Sequence, residues 1–521
     1  MEAARRRVAV IGSGMAGLVA GASLARDGHR VTVYERYLAP GGVTATIAQD
    51  GFSWDLGPLL LEGFGPGEIG TRILEEIGLP AARARDLATL PRDRGIVFPD
   101  FALWRPENYE GALWRRDYLR RLFPEESRGL DEYYRFYRRM YRLVTLNRRA
   151  ESRRAYQRDA RGTALDRLRM ALDFLSVRRF ASQSAAQLME HFFDSPKLRA
   201  VYTGILADLM VTPSEFPALG VPLLNLESAF DARNPERGER PGPRSVYRYI
   251  KGGCGSLVKA ALDALKAAGG ELRCSAAVEK IVTEGGRATA VVVDGKREPA
   301  DLVVSTAGAR ETFYDMLGSD QLPAEYRSVV DGQVQMESVF MLQLGLDREP
   351  AQPSELCYYY GRYDVEQGVR DIREGRYHDG ADGFVLYIPS RHSPGMAPPG
   401  CAAVTIYTVA PNFIDGGDWD EGKERYADHL VACAEKHLPG IAAATRTRVI
   451  LTPPDFRRRI GQKHHSFGGI APIKDRPNPS YKTPIADLWF AGSQSEGGGG
   501  VLGVMKGARA MVKQLRGTPA P

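Results

Sequence analysis

The chain has 521 residues, 43% of them hydrophobic and 26% charged, a globular balance that excludes a disordered or low-complexity chain and accommodates roughly two to four domains. Its net charge of +6 is mild for this size, and no nucleic-acid-binding motif accompanies it. No apolar run approaches the ~20 residues of a membrane-spanning helix.

At the N-terminus a basic stretch, Glu2 to Arg7, leads into only four apolar residues, Val8–Ile11, before Gly12. A secretory leader needs an apolar core of about 7–15 residues, so a cytoplasmic protein is expected. Val8–Ile11 has the wholly apolar character of a strand buried on both faces. Gly12-x-Gly14-x-x-Gly17 follows, and from Met15 to Ala25 apolar and small residues recur at helical spacing until Gly28. Arg30–Tyr34 alternates as a second strand and ends at Glu35, 18 residues after Gly17. Each piece has a physical task. Gly12 makes a tight turn, Gly14 lets the backbone approach a pyrophosphate, and Gly17 lets helix and strand pack closely. The helix N-terminus offers N–H groups and a positive dipole to phosphate, and Glu35 accepts from ribose hydroxyls.

Pro40-Gly41-Gly42 and then Gly51-Phe-Ser-Trp-Asp55-Leu-Gly57-Pro58 come next. A simple nicotinamide dehydrogenase would continue into another βα unit. Glycine-rich turns instead suit close backbone passes along an extended cofactor, which favours FAD. Residues 106–245 are mainly helical in pattern. Tyr133, Phe136, Tyr137, Met140, Tyr141 and Val144 fall at helical spacing, and from Glu132 to Phe180 there are 14 Arg and no Lys against 5 acids. This +9 segment reads either as a solvated helix face over a core stripe or as a basic amphipathic surface for an anionic membrane.

Tyr249-Ile-Lys-Gly-Gly-Cys-Gly-Ser-Leu opens a further helix, and short strands are expected at Glu271–Cys274, Ala277–Thr283 and Ala288–Val293. Asp301–Gly308 reads as an apolar strand with a small-residue end that re-enters the first sheet beside a ligand. Ser338–Leu346, Gly383–Ile388 and Ala402–Val409 are β-like runs expected to floor a substrate cavity, with Tyr358 and Tyr360 on one face. The last segment, Asp487 to Arg509, reads as strand, glycine loop and helix, its loop at Gly497–Gly500. Five cysteines without a CxxC pair suggest a reducing compartment and neither disulfides nor a zinc site; no metal is expected.

The glycine fingerprint with Glu35, Pro40-Gly41-Gly42, Asp55-x-Gly57-Pro58, Lys251-Gly-Gly-x-Gly-Ser-Leu and the closing Gly492…Gly-Gly-Gly-Val-x-Gly-Val together resemble the phytoene desaturase family, which includes carotenoid desaturases, carotenoid isomerases and retinol saturases. The resemblance implies FAD and the two-domain architecture shared by amine oxidases and GDP-dissociation inhibitors. The expected fold is therefore α/β. A Rossmann-type FAD-binding domain would draw on residues 1–105, 246–310 and 441–521, with a helical substrate or membrane-facing region at 106–245 and a substrate-domain sheet at 311–440. The cofactor set expected from these segments is Gly12, Gly14, Ala16, Gly17, Glu35, Arg36, Gly41, Gly42, Gly57, Pro58, Val278, Ala307, Gly308, Gly492, Ser493, Gly500 and Val501. Two positions depart from the family pattern. Val43 stands where an arginine usually helps hold the pyrophosphate, and Ser493 stands where many related flavoproteins have Asp.

The reaction implied is FAD-dependent desaturation of a long apolar, isoprenoid or polyene substrate. The alternatives are double-bond saturation, cis/trans isomerisation, amine oxidation and non-enzymatic isoprenoid binding. The cofactor carries the hydride chemistry. For the proton, the candidates are His464 or His465, just upstream of the closing cofactor segment, and Glu496 within it. Partners expected are a lipophilic small molecule and, peripherally, an anionic membrane. Oligomeric state is left open.

Overall fold

The computed structural model describes residues 5–57, 59, 61–65, 68–89, 94–104, 113–156, 164–225 and 247–517. Its first sheet has five strands, all parallel, in the spatial order Glu271–Arg273, Arg30–Tyr34, Arg7–Ile11, Leu302–Ser305, Leu488–Phe490. Three stretches far apart in the chain, 7–34, 271–305 and 488–490, thus build one sheet. The central strand explains why its sequence is uniformly apolar. Val8 and Val10 pack under the helices Met15–Arg26, Cys254–Ala267 and Val501–Gly517, while Ala9 and Ile11 face the opposite layer. With period-2 alternation and cover on both faces, every position is core. The opposite layer includes an antiparallel meander, Val278–Glu284, Arg287–Val293 and Lys296–Pro299.

The second sheet has seven strands in the order Thr445–Leu451, Ser338–Leu346, Ala402–Ala410, Gly383–Tyr387, Leu356–Tyr360, Arg94–Val97, Ala102–Leu103. The three runs expected to floor the cavity are all in it. Three of its strands, Arg94–Val97, Ala102–Leu103 and Thr445–Leu451, come from stretches that the sequence reading gives to the cofactor domain. The reason is hydrogen bonding. The edges of a sheet present unpaired backbone groups, and these chain passages cover them.

One face of this sheet packs on the helix Trp419–Glu435 through Phe340, Leu342, Leu344, Tyr426 and Leu430. The other carries Val339, Met341, Val385, Tyr387 and Tyr407 against Ala45, Leu56 and Tyr249 of the cofactor half. A helical layer, with Ser127–Tyr156, Ala164–Val177, Ala185–Phe192 and Pro196–Thr203, sits on an aromatic core of Tyr133, Phe136, Phe180, Phe192, Phe193 and Tyr202. Tyr133, Phe136, Tyr137 and Met140 are buried, as their spacing requires; the side chains of Tyr141 and Val144 lie outside the description. Among the described residues no helix is long and apolar enough to cross a membrane.

Candidate functional site

The turn after the first strand is built around two glycines with different reasons to be glycine. A Cβ on Gly17 would lie 2.0 Å from the Gly12 carbonyl oxygen, so the helix can dock on the strand only without one. Gly14 has φ −62° and ψ 172°, open to any residue, and a Cβ there would meet nothing within 4 Å. Packing therefore does not demand glycine at Gly14; the space beside it does. Gly14 is also the N-cap of the helix Met15–Arg26, and no side chain caps that end. Unpaired N–H groups facing open space suit an anionic group. Ala16 is buried in the first turn of the same helix.

Around this space the expected residues converge. The Glu35 carboxylate accepts from the Ser13 N–H (3.0 Å), the Ser13 hydroxyl (2.6 Å) and the Tyr37 N–H (2.8 Å). It is fixed and buried, with lone pairs left for a ribose. The Gly41 N–H donates to the Ser13 carbonyl at 3.1 Å, and a Cβ on Gly42 would sit 3.8 Å from the Gly14 Cα. Gly57 lies against Val43, where a Cβ would be 2.6 Å from its carbonyl oxygen. Gly492 crosses beside Thr306, next to Ala307 and Gly308. Ser493 follows Gly492, its carbonyl touching Gly469, and Gly500 leads into Val501, where the last helix begins. Pro58 lies outside the described residues.

Arg36 and Val278 belong to the same expected set. Arg36 is exposed and lies against Gly461, two residues after Arg459. Val278 starts the meander and packs partly buried in the layer beneath the sheet. The Asp55 carboxylate accepts from the Thr46 hydroxyl (2.6 Å) and the Cys254 N–H (2.7 Å). It braces the start of the helix Cys254–Ala267, and burial pushes it up to about 6. Cys254 is buried and its thiol is pushed well up by the same desolvation, the chemistry of a packing residue.

Sequence reasoning missed one cation at this cradle. Arg459, in the helix Pro453–Ile460, donates from Nε to the Gly42 carbonyl at 2.7 Å, and its guanidinium lies 4.7 Å from the Tyr37 ring centroid, within the field of Glu35. It brings a positive charge to the turn where Val43 lacks one. Spacing gives no hint of this, since 417 residues separate Arg459 from Gly42.

The three proton-transfer candidates fare as follows. His465 is fully buried. Its Nδ1 is 2.7 Å from the Ser338 hydroxyl and its ring stacks on Phe456 at 4.7 Å. Desolvation lowers it to about 3, so it stays neutral and acts as a brace. His464 has its Nε2 3.0 Å from the Asn412 amide and 3.1 Å from the Met336 carbonyl. Glu496 is exposed and accepts from the Tyr481 N–H at 2.8 Å, a loop tie. These contacts tie the two histidines to other elements of the fold, and the buried His465 Nε2 has no hydrogen-bond partner among the described residues.

A different carboxyl faces the substrate side. On the sheet, Leu451, Met341, Tyr407, Val385 and Tyr358 are register partners across five strands, so they form one row on one face. Tyr358 and Tyr360 share that face, rings stacked at 6.4 Å. Above them the segment after Gly204 brings in Ala207, Asp208 and Met210, which with Tyr358, Tyr360, Val385 and Tyr407 line a cavity that also takes in Arg362, Asp364, His378 and Asp382. Asp208 is hydrogen-bonded to Tyr407, and burial pushes its carboxyl up to about 7, because no cation is close enough to offset desolvation. Tyr407 in turn packs 5.5 Å from Phe467, whose loop continues through Gly469 to Ser493. Tyr407 of the cavity is thus linked through the Phe467–Gly469 loop to Ser493 of the expected cofactor set. Alternation within Tyr358–Tyr360 was legible in sequence. Asp208, one of many acids in a helical stretch, was not.

The model of the flavin-containing amine oxidoreductase family matches residues 15–513. The chain belongs to that family. It is an FAD-dependent oxidoreductase, and the cradle at Gly14, Glu35 and Gly42 fits the cofactor. Prolycopene isomerase of Daucus carota is 25% identical over 95% of this chain and 77% of its own length. The lycopene-forming phytoene desaturase of a Paracoccus species is 30% identical over 51% of this chain and 54% of its own. Putrescine oxidase bound to putrescine, 14% identical, superposes with a TM-score of 0.60 over 98% of this chain and 99% of its own, which establishes the shared two-domain fold.

Proposed function

We propose that the protein dehydrogenates a long apolar substrate of the isoprenoid or polyene class. The observation that carries this reading is the cavity. It is lined largely by aromatic and aliphatic side chains, among them Tyr358, Tyr360, Tyr407, Ala207 and Met210; its guanidinium, Arg362, is already paired with Asp371 and Asp382, and among the described residues no cation acts on the Asp208 carboxyl. FAD, when bound, supplies the two-electron acceptor that takes the hydride. The chain's own part is to orient the apolar substrate, exclude water and receive the proton from the adjacent carbon as the new double bond forms. Asp208, held by Tyr407, is suited to receive it, because a carboxyl near 7 is poised between its two states at physiological pH. The phytoene desaturase among its relatives supports this reading.

The end-to-end likeness to prolycopene isomerase supports a second one, cis/trans isomerisation with no net redox change. Anaerobic incubation with candidate polyenes separates the two. Dehydrogenation bleaches the oxidised flavin and yields a product with a longer conjugated system. Isomerisation shifts the product's fine structure and leaves the flavin's oxidation level unchanged. Bleaching by a primary amine, with inertness to every polyene, would refute both.

A further inference from the structure

The helix Ala164–Val177 is inside out. Its one described carboxylate, Asp173, is buried, clamped by Arg142 through Nε and Nη2 at 2.9 and 2.8 Å. Four of its large apolar residues are exposed instead: Leu168 at 57%, Leu172 at 57%, Phe174 at 59% and Leu175 at 52%. Spacing of i, i+4 and i+7 sets Leu168, Leu172 and Leu175 on one stripe, with Ala171 between them and Phe174 at its edge. An ordinary surface helix would turn the leucines in and the acid out. Half of the eight large exposed hydrophobics of the described residues sit on this one helix. An apolar stripe held outward by an ion pair needs an apolar medium to cover it.

The charge beside it says which medium. Arg169, Arg178 and Arg179 are exposed on or just after the same helix. Where that helix end meets Ser127–Tyr156, a polar groove is lined by Arg135, Arg139, Arg179, His191, Ser176 and Glu132. Its carboxylate, Glu132, is shared between Arg128 (3.2 Å) and Arg135 (3.8 Å), and Arg179 rests 4.6 Å from the Phe180 ring centroid. Three guanidinium groups against one carboxylate leave the groove cationic. An apolar stripe bordered by such a groove is the pairing that an anionic bilayer fits: acyl chains for the leucines and headgroup phosphate for the arginines.

We infer that the protein docks on anionic membranes through the helix Ala164–Val177, with the Arg135–Arg139–Arg179 groove receiving a lipid phosphate. This inference rests on the surface alone and stands whichever reaction the cavity performs. The test is flotation of the flavin-loaded protein with vesicles of phosphatidylcholine, or of phosphatidylcholine with a third phosphatidylglycerol, at low and high salt. The protein should float with the anionic vesicles at low salt and be released by high salt. Leu172→Glu with Leu175→Glu should abolish flotation. Arg135→Gln, Arg139→Gln and Arg179→Gln combined should weaken it by about 100-fold, at roughly fivefold per arginine. Both sets of variants, the leucines to Glu and the arginines to Gln, replace exposed side chains, so flavin content and melting temperature should stay at the parent values and report a folded protein. Three results would overturn the inference: no flotation at low salt, flotation unaffected by either set of variants, or a dimer in solution that the leucine variants convert to monomer while vesicles bind neither.

Discussion

Replacing Gly14 with valine should separate folding from cofactor binding. The backbone at Gly14 is in the extended region that valine prefers, and a Cβ there meets no heavy atom within 4 Å. The costs to the flavin-free protein are an N-cap less favourable than glycine, about 1 kcal/mol, partly offset by the lower entropy of the unfolded chain. In a protein this large that lowers the melting temperature by only about 2 °C. Cofactor affinity should suffer far more, because the branched side chain fills the space that the unpaired helix N-terminus faces. Loss of that anion site alone is worth up to about 2 kcal/mol, or ~30-fold in Kd, before any steric term. Arg459→Met should act at the same place by another route, removing a charge-assisted contact of about 1.5–3 kcal/mol. Gly17→Ala is the opposite control. Its Cβ would lie 2.0 Å from the Gly12 oxygen, so it should destabilise the flavin-free protein itself. The assay is melting of the flavin-stripped protein by circular dichroism, followed by titration with FAD under fluorescence quenching. If Gly14→Val binds FAD within threefold of the parent, the space at Gly14 is not where the cofactor's phosphates lie and the cradle argument fails.

Asp208 should set a pH dependence. Flavin reduction by substrate should rise with pH through an inflection near 7, and Asp208→Asn should lose both the inflection and about 10²–10⁴-fold in rate with FAD content unchanged. The same carboxyl makes a stability claim. Its folded pKa lies above the unfolded value, so its stabilising contribution is full below about 4 and disappears as pH rises through 7. Asp208→Asn should therefore be more stable than the parent at pH 8, and an unchanged denaturation midpoint there would count against a buried carboxyl. His465 has the reverse sign: it is neutral when folded and depressed to about 3, so stability present above about 6.5 drains away as pH falls toward 3. His465→Gln should flatten that acid limb in urea unfolding, and a slope identical to the parent's would show the ring is not buried neutral. FAD should come off free and yellow on acid precipitation, since Cys254 packs in the core; flavin staying with the pellet would show a covalent bond.

The cofactor half was legible because its signals are local. Val8–Ile11, the glycines of the turn and Glu35 lie within one stretch, and each obeys a steric or hydrogen-bonding rule that acts over a few residues. The same holds for Tyr358 and Tyr360, whose common face follows from strand alternation alone. The strands at the margins of the second sheet were not legible. Arg94–Val97 and Thr445–Leu451 are short and half polar, and what makes them strands is an edge waiting elsewhere in the chain. The surroundings of His465 were hidden for a related reason. A histidine pair beside a cofactor segment looks reactive in sequence, but Ser338 and Phe456, which hold the ring, come from other elements.

Arg459 and Asp208 show the two ways in which such a site escapes local reading. Val43 seemed to leave the phosphate turn short of a cation, yet electrostatics asks only that a positive charge be near, not that it be adjacent in sequence. A helix that must pack near Gly42 can deliver it as well as the turn itself, and burial against Tyr37 fixes its position. Asp208 gains its character from an absence. The same carboxyl on a solvated helix would be an ordinary acid near 4; with Tyr407 as its hydrogen-bond partner and no neighbouring cation, desolvation alone raises it. Both properties belong to the assembled surroundings. A departure from a family motif is thus a reason to look for the missing charge across the fold before concluding that the ligand has changed, and an enclosed acid without a cation is a reason to look for an apolar substrate beside it.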